Sequence, residues 1–175
     1  LLIARRAKIE ALLHGGTQQR GRSGTQDAAG AVAFAAALDF AAATVADPAA
    51  LMRARDRLIA GVRERVPEAK LHGSAPGDYS GARLPGNAHF TFPGCQGDSL
   101  LFLLDEAGIS VSTGSACQAG VAETSHVLLA MGVPESEAVG ALRMTLGGPD
   151  PDAAVDRFLA ALPGAVAKAR RAGLS

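Results

Sequence analysis

Cysteine is scarce in this sequence: Cys95 and Cys117 are the only two in 175 residues. Two thiols build no disulfide framework, and their spacing fits no common zinc pattern. They read as reduced thiols of a cytosolic chain. An excess of charge of one sign is also missing. Lys and Arg total 17, Asp and Glu total 17, and the formal net charge is zero. That excludes the basic footprint of a direct nucleic-acid binder. No hydrophobic run approaches the length of a membrane span. The opening "LLIARRAKIEALL" lacks the long apolar core and cleavage-like end of a secretory signal. The phosphate-loop pattern GxxxxGK[ST] does not occur. The four histidines (His14, His72, His89 and His126) show neither HExxH nor another ligand spacing, so no metal site is expected.

What is present is enough for one domain or a little more, with a real core. Apolar residues make up 48% and charged residues 19%, a soluble globular balance. Much of the apolar share is alanine, a strong helix former. "LLIA" at 1–4 reads as a short buried strand. With no leading Met, the chain reads as a piece of a longer protein. The Gly-rich "HGGTQQRGRSGT" at 14–25 is a loop, and an Ala-rich helix is expected over 26–46. Asp47 and Pro48 open a second helix, with Leu51, Ala54, Leu58 and Val62 on one face and Pro67 as its stop. "AKLHG" at 69–73 reads as β-like, and 74–86 as a turn-rich exposed stretch. "NAHFTF" alternates, with Ala88, Phe90 and Phe92 on one side of a strand.

Asp98 or Ser99 is expected to cap the helix "LLFLLDEAG", which Gly108 ends. "ISVS" at 109–112 reads as a strand, and "LRMTLG" at 142–147 as another. Short helices are expected between them at "SHVLLAMG" and "ESEAVGA". A final helix is expected to run to about Leu162, where Pro163 breaks it before a basic tail. Strands and helices alternate from 69 onward, so the bulk is a small α/β or α+β domain.

Three segments carry candidate chemistry. Cys117 follows a strand and sits among Gly, Ala, Ser and Thr in "VSTGSACQAG". Composition alone favours a small buried thiol. The small neighbours instead permit exposure and movement, which a nucleophile needs. Cys95, in the turn "FPGCQGD", has no basic sequence neighbour and reads as structural. Thr25 ends the Gly-rich loop just before a helix, where backbone N–H groups and the dipole favour an anion such as a phosphate. An ordinary helix cap is the simpler reading of the same residue. Arg143 lies on an otherwise apolar strand and needs a partner to offset its desolvation. An internal carboxylate and the carboxylate of an amino-acid substrate serve equally.

Taken together, "LLHGGTQQRGRSGT", "NAHFTFPGCQGDSLLFLLDEAGISVSTGSACQAG" and "SHVLLAMGVPESEAVGALRMTLG" closely resemble the NifS/IscS-like cysteine desulfurases of the class V aminotransferase family, in order and spacing. Thr17 stands where that family usually has Gly, and Gln19 where it usually has Glu.

The resemblance implies the C-terminal part of a fold-type I pyridoxal-phosphate-dependent transferase. Residues 1–48 would be the end of the cofactor-binding large domain. Residues 49–175 would be a small α/β domain carrying the catalytic-cysteine loop. It implies Cys117 as the nucleophile that takes sulfur from L-cysteine as a persulfide and leaves L-alanine. Thr25 would bind the phosphate of pyridoxal 5'-phosphate across a homodimer interface. Arg143 would hold the substrate carboxylate. The sulfur would pass to an acceptor such as an iron–sulfur scaffold protein or a tRNA-thiolation enzyme, in the cytoplasm. The Schiff-base lysine of the family has no counterpart among Lys8, Lys70 and Lys168, so this chain alone is expected to be inactive. Two other readings are a related pyridoxal-phosphate enzyme without sulfur transfer, and a small-domain interaction module.

Overall fold

The structure, a computed structural model, describes residues 4, 6–16, 21–44, 48–75, 83–113 and 124–172. The chain divides into two units, Leu1–Val45 and Ala46–Ser175. The first contains an irregular segment followed by helix α1 (Ala28–Thr44). Of the expected opening strand, residues 1–3 lie outside the described residues, and Ala4 is exposed and not in a strand. Helix α1 is apolar on all sides, and Val32, Phe34, Leu38 and Phe40 are exposed.

The second unit is α/β. Its described strands are β1 (Lys70–His72), β2 (Asn87–Thr91) and β3 (Ala141–Thr145), antiparallel in the order β1-β2-β3. Because side chains alternate across a sheet, Ala88, Phe90, Leu142 and Met144 share one face. All four are buried. Three helices supply most of the rest of this core: α2 (Pro48–Arg65), α3 (Gly97–Glu106) and α6 (Pro151–Ala172). Helix α2 contributes Ala54, Leu58, Ile59 and Val62: of the stripe expected from sequence Leu51 is only half-buried, and Ile59 is added. Arg55 is also buried there, its guanidinium donating to Asp56 at 2.8 and 2.9 Å and to the Leu84 carbonyl at 3.3 Å. Those bonds offset its desolvation.

The other sheet face is polar. It carries His72, His89, Thr91 and Arg143, by alternation and by register. Two short helices, α4 (His126–Ala130) and α5 (Glu135–Ala138), reach this face. Leu128 and Ala138 form a second cluster with Ala141. Ser125 caps α4, its Oγ accepting from the Leu128 N–H at 3.4 Å.

Four local expectations are corrected. Helix α3 is preceded by Gln96, with no side-chain cap from Asp98 or Ser99. The backbone there is held instead by the Gly97 N–H donating to the Val139 carbonyl at 2.8 Å. Residues 109–112 form no strand, and only Ser112 pairs, with Arg143. Helix α6 does not stop at Pro163 but continues to Ala172. Its buried stripe of Val155, Phe158, Leu159, Leu162, Ala165, Val166 and Ala169 keeps phase through the proline. Burial of that stripe outweighs the hydrogen bond that proline removes. Finally, Thr25 is not the cap of α1. Asp27 is, with its Oδ1 accepting from the Gly30 N–H at 2.8 Å.

Candidate active site

The site begins with backbone geometry at β3. The Arg143 N–H donates to the Ser112 carbonyl at 2.6 Å, and the Ser112 N–H donates to the Arg143 carbonyl at 3.1 Å. Both backbone groups of Arg143 therefore point away from β2. His89, its register partner on β2, forms a non-hydrogen-bonded pair with it. In such pairs the Cα atoms lie only about 4.5 Å apart and the side chains are close. His72 pairs with His89 on the far side. Thus His72, His89, Arg143 and Ser112 form one transverse row on the polar face.

His72, His89 and Arg143 of this row floor a cleft of about 380 Å³. Arg83, Ser74 and Asn87 line one side, and Leu84, Val127, Leu128 and Met131 give it an apolar wall. Among the described residues no Asp or Glu lines it, while two guanidiniums do. Arg83 is committed to backbone carbonyls, donating to His72 at 2.8 Å and to Ser74 at 3.0 Å. Arg143 is exposed and donates to Ser112 Oγ at 3.3 Å. Among the described residues no carboxylate lies within ion-pair distance of Arg143. The desolvation argument for a partner therefore falls away, and so does the internal salt bridge.

The histidines sit differently. His72 Nε2 bonds Thr91 Oγ1 at 2.8 Å, and Thr91 Oγ1 donates onward to Glu137 Oε1 at 3.1 Å. Lys70 pairs with the same carboxylate. Burial lowers the His72 imidazole pKa, against the pull of Glu137. Burial, then the His72, Arg143 and Arg83 charges, push His89 down to about 4. His89 Nδ1 is buried with no hydrogen-bond partner.

Cys117 lies outside the described residues, as do Thr17 and Gln19. The residues flanking the segment 114–123 are placed at the cleft: Ser112 bonds Arg143, and Ser125 lines the opening. Cys95 is in the core, its thiol 3.9 Å from the Val166 carbonyl and its pKa raised by burial. Thr25 belongs to the first unit, exposed, after Gly24 at φ +97°. The Asp27 carboxylate occupies the α1 N-terminus, so that dipole is not free for another anion. Arg22 donates to the Thr25 carbonyl at 3.0 Å and shapes the loop. From sequence His89, like the other histidines, reads as structural or exposed rather than catalytic. Its signal was its place opposite Ala88 and Phe90 in the alternation, which marks a polar face without naming its neighbours.

The Aminotransferase class-V family model matches residues 5–158. Across its whole length the chain is 50% identical to an "IscS-like cysteine desulfurase" of Mycobacterium tuberculosis, of which it covers 44%. It is 43% identical to a "Cysteine desulfurase IscS" of Clostridium botulinum over 93% of this chain and 41% of that protein. A solved "NIFS-LIKE PROTEIN" superposes with a TM-score of 0.71 at 33% identity, over 95% of this chain and 41% of that one. The NifS-like protein of Rickettsia africae, at 24% identity and a TM-score of 0.70, shares the fold. The chain spans less than half the length of these relatives.

Proposed function

The chain belongs to the aminotransferase class-V family, and on that premise we propose that it carries the C-terminal part of a pyridoxal-phosphate-dependent cysteine desulfurase. One observation carries the reading. Among the described residues Arg143 presents a guanidinium without a carboxylate partner, in a cleft that none of their acids lines, and it is tied to Ser112, five residues before Cys117. A carboxylate grip and a thiol segment thus share an anchor.

The described residues fit the periphery of the cofactor site. Thr25 offers an exposed hydroxyl for the phosphate, contributed to the second subunit of a homodimer. The covalent anchor is not Lys70, whose ammonium is paired with Glu137, nor Lys168, on α6 behind the opposite sheet face. When bound, pyridoxal phosphate supplies an electron sink for the substrate's α-carbon.

The chain's own residues do the rest. Arg143 takes the L-cysteine carboxylate and fixes its orientation. The Cys117 thiolate attacks the substrate sulfur, forming an S–S bond as the C–S bond breaks. The electron pair stays with carbon, which takes a proton to give L-alanine. The persulfide then passes to an acceptor such as an iron–sulfur scaffold or a tRNA-thiolation enzyme. Thiol chemistry of this kind suits a reducing cytoplasm, and no described helix is long and apolar enough to cross a membrane.

The test is Cys117→Ala in the full-length protein, followed by persulfide trapping with an alkylating probe. The substitution is expected to abolish the label. Undiminished alanine release together with an intact label would sink the assignment. The 175-residue chain alone, given pyridoxal phosphate and L-cysteine, is expected to release no alanine.

A further inference from the structure

His89 lines the cleft beside Arg143, yet the proposed chemistry leaves it without a task. Its ring has two distinct nitrogens, and their surroundings fix which one carries the proton. Nδ1 is enclosed by protein and has no acceptor within reach. A buried N–H with nothing to donate to is costlier and rarer than an unused lone pair. The proton of the neutral ring therefore sits on Nε2. Charging the ring is opposed first by burial and then by His72 on β1, Arg143 on β3 and Arg83 in the preceding loop. Glu137, the nearby acid, is spent on Lys70, Thr91 and His72. His89 is thus a neutral ring of fixed tautomer in a cleft that no acid among the described residues lines.

Resting on the carboxylate role of Arg143 given above, we infer that His89 is a second substrate-anchoring residue, whose Nε2–H and the Arg143 guanidinium together grip the carboxylate of a small α-amino acid. Their non-hydrogen-bonded register sets the two donors side by side. A carboxylate has two oxygens, and one donor from each strand fixes its plane as well as its position. The apolar wall of Leu128 and Met131 is left for the side chain of the amino acid.

Side-chain ¹⁵N NMR of the 175-residue chain tests this, with L-alanine as probe and L-alaninamide, which lacks the carboxylate, as control. The free chain is expected to show His89 as the Nε2–H tautomer. L-alanine should then move both the His89 Nε2 and Arg143 guanidinium resonances, and alaninamide neither. His89→Phe should weaken L-alanine binding about tenfold, the worth of one hydrogen bond to a charged group. His89→Asn, which keeps an N–H donor, should recover part of that loss. If Arg143 responds while His89 does not, the inference fails and the carboxylate role of Arg143 stands. If neither responds, both fail. An Nδ1–H tautomer in the free chain also overturns the inference.

Discussion

Burial, and then the His72, Arg143 and Arg83 charges, disfavour a positive charge on His89. That has a consequence for pH. The folded-state pKa is about 4, below the ordinary 6.5 of a histidine. Below pH 6.5 the unfolded chain takes up a proton that the folded chain refuses. The stability that His89 contributes is therefore complete above pH 6.5 and is lost as the pH falls toward 4. Urea titrations at several pH values should show that decline in the wild type and a shallower one in His89→Asn. Identical slopes would contradict the protonation state. At this scale Arg143 was legible in sequence as a lone arginine among apolar neighbours. Its exposure was not, because burial depends on which face of β3 meets the core. Cys117 was legible only through its motif, since small neighbours license movement without dictating a partner.

Among the elements, β2 was the clearest in sequence, because Ala88, Phe90 and Phe92 alternate and all three are buried. Helix α6 was cut short on paper because proline is a strong local signal. Tertiary burial overrode it, a force that no local pattern expresses. Pro163 is exposed and leaves the Leu159 carbonyl without its helical donor. Pro163→Ala is therefore expected to stabilise the chain, by up to about 3 kcal/mol. An unchanged urea midpoint would show that α6 has already absorbed the defect. The junction of β2 and β3 is less forgiving. A Cβ at Gly140 would lie 2.5 Å from the Phe92 carbonyl oxygen and 3.0 Å from that of Cys95. Both are backbone atoms, held by the Phe92 N–H donating to the Gly140 carbonyl at 3.0 Å. Gly140→Ala should cost about 1–3 kcal/mol, measured by the same denaturation.

For the molecule as a whole, the clustered buried core residues lie between Ala54 and Ala169, inside the second unit. A chain of residues 46–175 is therefore expected to unfold cooperatively in urea on its own. It should also bind less of a hydrophobic dye, because Val32, Phe34, Leu38 and Phe40 leave with α1. A gradual, non-cooperative loss of structure in that shorter chain would contradict this. The α/β class was readable from the alternation of elements. The cleft was not, because His72, His89, Ser112 and Arg143 are far apart in sequence and meet only through strand register. That register divides labour by parity. On β2 and β3 one set of alternate positions secures the fold, while Asn87, His89 and Arg143 of the other set line the cleft. A saturation library across these strands should accordingly show two interleaved combs, one of abundance and one of binding. Evolution can retune the ligand on this face with little toll on the core behind it.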